Sequence, residues 1–126
     1  MDDGYRVKGP FFATQAAVPE LRRSRGAVVM TASESGLLGN KNSALYCTSK
    51  GAVVNMTRAF AHDLTPEVRV NAVCPGAVMT DMLGGDSPEY LEELNNFSPM
   101  KRIADPTQRF MTGALLSIDG GATASR

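Results

Sequence analysis

Tryptophan is absent from the 126 residues, histidine occurs once, and there are only two cysteines. Cys47 and Cys74 lack metal-ligand spacing and have no second cluster of ligands beside them, so a zinc site is excluded as the organising feature. Two cysteines also make no disulfide framework; both read as small, partly buried side chains. An excess of either charge is missing too, with thirteen basic and thirteen acidic residues and no Lys/Arg run, which argues against nucleic acid as a partner. No apolar run approaches membrane-spanning length. The start, Met1-Asp2-Asp3-Gly4-Tyr5-Arg6, has no apolar core of the kind a secretory signal needs. A cytoplasmic protein with no membrane partner is the expectation. The apolar fraction of 43% and the charged fraction of 21% are those of an ordinary globular chain, and the length suits one domain over residues 1–126.

Helical and strand-like segments alternate along the chain, the pattern of an α/β fold. Residues 9–25 read as a helix with Phe12, Ala16 and Leu21 near one face, a bend at Pro19 and Gly26 as its stop. Residues 27–32 are almost continuously apolar, as in a strand buried on both faces of a parallel sheet. Asn42 or Ser43 can cap a second helix through about Leu64, with Val53, Met56, Phe60 and Leu64 on one stripe. Residues 68–74 read as a second strand stopped by Pro75-Gly76. Ser87-Pro88-Glu89 is a helix start, and residues 114–118 read as a third strand. Asp105-Pro106 is a further helix start with almost no helix behind it.

Tyr46 and Lys50 are four apart on the second helix and share a face. An ammonium beside a phenol favours the phenolate, which makes the pair a plausible general acid/base. Ser33 lies at the end of the first strand, where ligands bind in open α/β sheets. Its hydroxyl can donate to a carbonyl oxygen as charge develops there. The second strand ends in the turn Pro75-Gly76-Ala77-Val78-Met79-Thr80 at the same sheet edge. His62 invites a serine-hydrolase reading, but Ala32-Ser33-Glu34-Ser35-Gly36 is not a Gly-x-Ser-x-Gly elbow, and His62 reads as a surface residue.

Taken together, Gly9-Pro10-Phe11-Phe12, the run from Val28 to Ser33, Tyr46-Cys47-Thr48-Ser49-Lys50, the run from Arg69 to Gly76, and Thr112-Gly113 through Asp119-Gly120-Gly121 resemble the short-chain dehydrogenase/reductases. The bacterial members similar to 3-oxoacyl carrier-protein reductases are the particular likeness. The resemblance implies an incomplete Rossmann-like parallel sheet of about three strands with flanking helices. It implies catalytic roles for Ser33, Tyr46 and Lys50, with Ser33 holding the substrate oxygen, Tyr46 exchanging its proton, and Lys50 acting on Tyr46 and the nicotinamide ribose. By the same resemblance Tyr46, Lys50, Pro75, Gly76, Val78 and Thr80 would contact NAD or NADP, the substrate would be a small alcohol or ketone, and the intact family member would be a homo-oligomer through its two long helices. A catalytically inactive fragment acting only through association with a partner subunit is the alternative.

Three departures from the family stand out. The strand and glycine-rich turn that cradle the pyrophosphate are not in the sequence, nor is the ribose-selecting strand. Arg6 stands where the family usually has asparagine; either residues 1–6 are unrelated to that stretch and Arg6 is solvated, or its permanent charge opposes the protonated form of Lys50. After Asp105-Pro106 most of a helix is missing. From Asp105 to Ala114 the chain can still span roughly 30 Å at about 3.3 Å per residue, enough to return along a strand but leaving one sheet face uncovered and an apolar edge unpaired.

Overall fold

The computed structural model describes residues 3–83, 85–107 and 111. Five main elements follow in order: helix α1 (Asp3–Ser24), strand β1 (Ala27–Thr31), helix α2 (Ala44–Leu64), strand β2 (Arg69–Val73) and helix α3 (Pro88–Phe97), with a 3-10 turn at Glu34–Gly36 after β1. The α/β class is as read from the sequence. The expected third strand at 114–118 lies outside the described residues. Two compact units are present, one holding the described residues up to Cys74 and the other those from Pro75 onward.

In the first unit β1 and β2 pair in parallel, Val28 opposite Val70 and Met30 opposite Ala72. Parallel strands need a long crossover, and α2 supplies it. Along both strands burial alternates, with Met30 and Val70 buried but Val29 and Val73 67% and 50% exposed. The expectation of a strand covered on both faces therefore fails for the described residues. Helices α1 and α2 cover only one face, and a residue period of two sends every second side chain to the other.

The covered face carries the core. Met30, Ala32, Val53, Leu64, Val68 and Val70 are buried together, with Met56 and Phe60 packed against them, so the stripe read on α2 is the inward one. On α1 the inward residues are Thr14, Val18 and Leu21, at helical steps of four and three. Phe12 and Ala16, expected there, are exposed. Phe11 instead reaches α2, its ring centroid 5.5 Å from that of Phe60. Helix α1 begins earlier than residue 9 and contains Pro10 as well as Pro19.

The end of α1 is a Schellman turn. Gly26 N–H donates to the Leu21 carbonyl at 2.9 Å and Arg25 N–H to the Arg22 carbonyl at 3.4 Å. The left-handed residue is Arg25, with φ 51°, not Gly26. A Cβ at Gly26 would lie 3.0 Å from Leu21 Cδ2 and 3.3 Å from Ser24 Oγ, so glycine is used here for room. Ser43 occupies the cap position of α2 but makes no side-chain cap bond. Ser87 caps α3 as expected, its Oγ accepting from Tyr90 N–H at 3.2 Å, with Pro88 opening the helix.

Within the second unit Val78 bridges Ala104 in parallel fashion. Ala104 N–H donates to the Ala77 carbonyl and Met79 N–H to the Ala104 carbonyl, at 3.0 and 2.8 Å. Asn95 Oδ1 on α3 accepts from Ile103 N–H at 2.7 Å, which fastens the helix to that same stretch.

Candidate active site

Strand β1 continues one step past its last residue, because Ala32 N–H still donates to the Val73 carbonyl at 2.9 Å. Ser33 follows immediately. It is buried, extended, and caps the 3-10 turn through its Oγ, which accepts from Ser35 N–H at 3.2 Å. An oxygen that accepts in this way fixes the position of the hydroxyl at the strand end.

The turn is held in place by close contact with α2. A Cβ on Gly36 would fall 2.7 Å from the Lys50 carbonyl oxygen and 2.9 Å from Val54 Cγ2. Glycine is required there because backbone meets backbone. A polar cluster closes the other side: Asn40 Nδ2 donates to Ser35 Oγ at 2.8 Å and to Glu34 Oε1 at 3.2 Å, and Ser35 Oγ donates to Glu34 Oε1 at 3.2 Å. Asn40 N–H also donates to Cys47 Sγ at 3.4 Å, which ties the loop to the residue beside Tyr46.

Tyr46 and Lys50, both half-buried, lie on one face of α2 as their spacing requires. Lys50 Nζ is 5.9 Å from the Tyr46 ring centroid and donates to the Thr31 carbonyl at 3.1 Å. The ammonium thus links the tyrosine to the strand end that runs into Ser33. Burial above all, and then the positive charge of Arg6, hold Lys50 below the ordinary lysine value of 10.5, with Cys74 pulling the other way. Arg6 comes from α1, its guanidinium carbon 5.3 Å from the Tyr46 ring centroid. The reading of Arg6 as a solvated residue of an unrelated start is therefore corrected. Sequence reasoning also missed Gly36 and Asn40; the Gly36 signal was present in Ser33-Glu34-Ser35-Gly36, a small-residue turn directly after a strand.

The residues expected at the cofactor divide between the units. Tyr46 and Lys50 belong to the first, and Pro75, Gly76, Val78 and Thr80 to the second. Both bonds of the Val78 bridge are made by neighbours, Ala77 and Met79, so Val78's own N–H and C=O point away from Ala104. Thr80 Oγ1 donates back to the Val78 carbonyl at 3.4 Å. Taken separately, a peptide N–H and C=O suit a carboxamide, and the three donors of an ammonium suit hydroxyl groups. His62 is exposed on the last turn of α2, and both cysteines are free and half-buried, as expected.

Comparison with known proteins bears on this arrangement. The enoyl-(acyl carrier protein) reductase family pattern matches residues 5–123. Meso-2,3-butanediol dehydrogenase of Serratia marcescens is 40% identical over 97% of this chain and 54% of its own. The short-chain dehydrogenase/reductase homolog YusR of Bacillus subtilis is 36% identical over 93% of this chain and 99% of its own. The crystal structure of 3-oxoacyl-[acyl-carrier protein] reductase from Brucella melitensis superposes with a TM-score of 0.75 at 32% identity, covering 80% of this chain and 39% of that one. The chain spans about half the length of the butanediol dehydrogenase, whereas YusR is matched almost end to end. With family match, sequence identity and fold in agreement, the chain belongs to the short-chain dehydrogenase/reductase family.

Proposed function

We propose that this chain carries the catalytic part of a nicotinamide-dependent oxidoreductase that interconverts a small alcohol and its carbonyl form. The Ser33 hydroxyl donates to the substrate oxygen. The Tyr46 phenol gives that oxygen a proton in reduction and takes it back in oxidation. Lys50 holds Tyr46 in place electrostatically and donates to ribose hydroxyls. Pro75, Gly76, Val78 and Thr80 receive the nicotinamide end, with Val78 offering its backbone N–H and C=O. Bound NAD or NADP supplies or accepts the hydride at the substrate carbon.

The observation that carries this reading is the Lys50 ammonium, which donates to the Thr31 carbonyl at the strand end and lies 5.9 Å from the Tyr46 ring centroid. An ammonium spent merely on solvation has no reason to be fixed against both. The assay is reduction of NAD and of NADP by a panel of small alcohols and diols, using the purified chain. Tyr46→Phe is expected to lower the rate by about 10² to 10⁴, the usual contribution of a positioned acid/base. Turnover that survives Tyr46→Phe unchanged removes the assignment.

A second reading, a subunit that works only in association with another chain, is favoured by the exposed apolar pair Val29 and Val73 on the uncovered sheet face. The near end-to-end match to YusR adds that a relative of similar span exists. On this reading the chain acquires turnover only when mixed with a longer member of the family, and size-exclusion chromatography of the mixture reports the complex.

A further inference from the structure

The charge that α1 brings to the site has no part in the roles just given. We propose that Arg6 is a positioning residue of the Tyr46–Lys50 pair, its guanidinium laid on the Tyr46 ring from α1 to fix that ring and to place a second positive charge beside Lys50.

The geometry supports both halves of that statement. A guanidinium carbon 5.3 Å from a ring centroid is inside the range in which the quadrupole of an aromatic face attracts a cation. Lys50 approaches the same ring at 5.9 Å, so two cations meet at one phenol. The groups facing Lys50 come from every neighbouring element. Arg6 comes from α1 and Tyr46 from α2 itself; β1 contributes the Thr31 carbonyl, and Cys74 lies just past β2. Glu34 in the 3-10 turn is engaged by Ser35 and Asn40. Of these, Arg6 is the permanent cation, and it disfavours the protonated ammonium. Arginine is suited to the place because its flat, weakly hydrated head stacks on a ring and cannot lose its charge.

Its meaning for catalysis rests on the oxidoreductase reading, but its physical content does not. The test is a pH titration of the Lys50 side chain by NMR of the full chain carrying isotope-labelled lysine, in the parent protein, Arg6→Gln and Arg6→Lys. Glutamine is nearly as good a helix former as arginine, and a thermal melt of each variant establishes that it is folded. The expected result is an alkaline displacement of the Lys50 midpoint in Arg6→Gln and little displacement in Arg6→Lys, where a cation is kept. The Tyr46 ring resonances should change in both, because the guanidinium beside the ring is lost in both. An Arg6→Gln protein whose Lys50 titration and Tyr46 ring signals match the parent overturns the proposal. If turnover is measurable, its pH profile should move in Arg6→Gln in the same direction as the Lys50 midpoint. A parent protein with no turnover, but with the Lys50 displacement present, would count against the oxidoreductase reading and leave the Arg6 assignment standing.

Discussion

Asp105 illustrates how a single side chain orders a local turn at its own expense of protons. Its Oδ1 accepts from the Thr107 hydroxyl and from the Thr107 N–H at 2.8 Å. Those two bonds, the hydroxyl first, hold the exposed carboxyl below the ordinary aspartate value of 3.8, with slight desolvation opposing and Arg102 assisting. A carboxyl depressed in the folded state stabilises the turn fully above its unfolded value and ceases to do so as pH falls through its lower folded value. The Thr107 amide resonance should therefore titrate with a midpoint below 3.8, and Asp105→Asn should abolish that titration. A midpoint at or above the ordinary value would mean the turn is not held by the carboxylate. The same residue shows what a motif alone conveys: Asp105-Pro106 reads as a helix start with almost no helix behind it, and among the described residues the carboxylate makes the cap-like bond to the N–H two positions on.

At the scale of elements, Gly36 decides where the Ser33 turn can sit. The backbone of α2 lies inside the volume that a methyl group on Gly36 would need, and a helix carbonyl cannot move aside as a flexible side chain can. Gly36→Ala should cost about 1–3 kcal/mol, the range of overpacking in a close-packed interior, and should lower turnover further by displacing Ser33 from α2. Gly9 on α1 is the contrasting control, with nothing within 4 Å of its Cβ position. Gly9→Ala should raise stability by about 0.5–1 kcal/mol through helix propensity. Urea melts of the two variants check the pair, and equal effects would refute the packing argument.

These elements also show what the sequence could reveal. Strand β1, strand β2, the α2 stripe and the Ser87 cap were legible because each is written in local period or cap chemistry. The buried face of α1 was not, because Thr14 is polar and Phe12 apolar, so the hydrophobic count favoured the wrong face. The Tyr46–Lys50 face followed from helical spacing, and Ser33 from its place at a strand end. Between the two readings of Arg6 the sequence could not choose, because its contact with Tyr46 joins α1 to α2, forty positions along the chain, and nothing local to residue 6 encodes that.

For the whole molecule, the sheet face that the helices leave uncovered decides between a self-sufficient chain and one that needs company. Val29 and Val73 stand on that face, diagonal to each other across the register, with Thr31, Asn71 and Arg69 exposed around them. Fully burying a valine is worth about 1.5–3 kcal/mol, so covering the pair repays association, while the polar neighbours limit how tightly an unselected partner can pack. Threonine matches valine in shape and strand preference but adds a hydroxyl that resists burial. In the parent chain, elution volume and sedimentation should depend on concentration, and Val29→Thr combined with Val73→Thr should shift the population toward monomer without lowering the urea midpoint measured at a dilution where both proteins are monomeric, because neither side chain belongs to the core. If the parent is already monomeric at all concentrations, this face carries no association. If the double variant loses stability as a monomer, the face is covered within the chain itself, and the second functional reading loses the observation on which it stands.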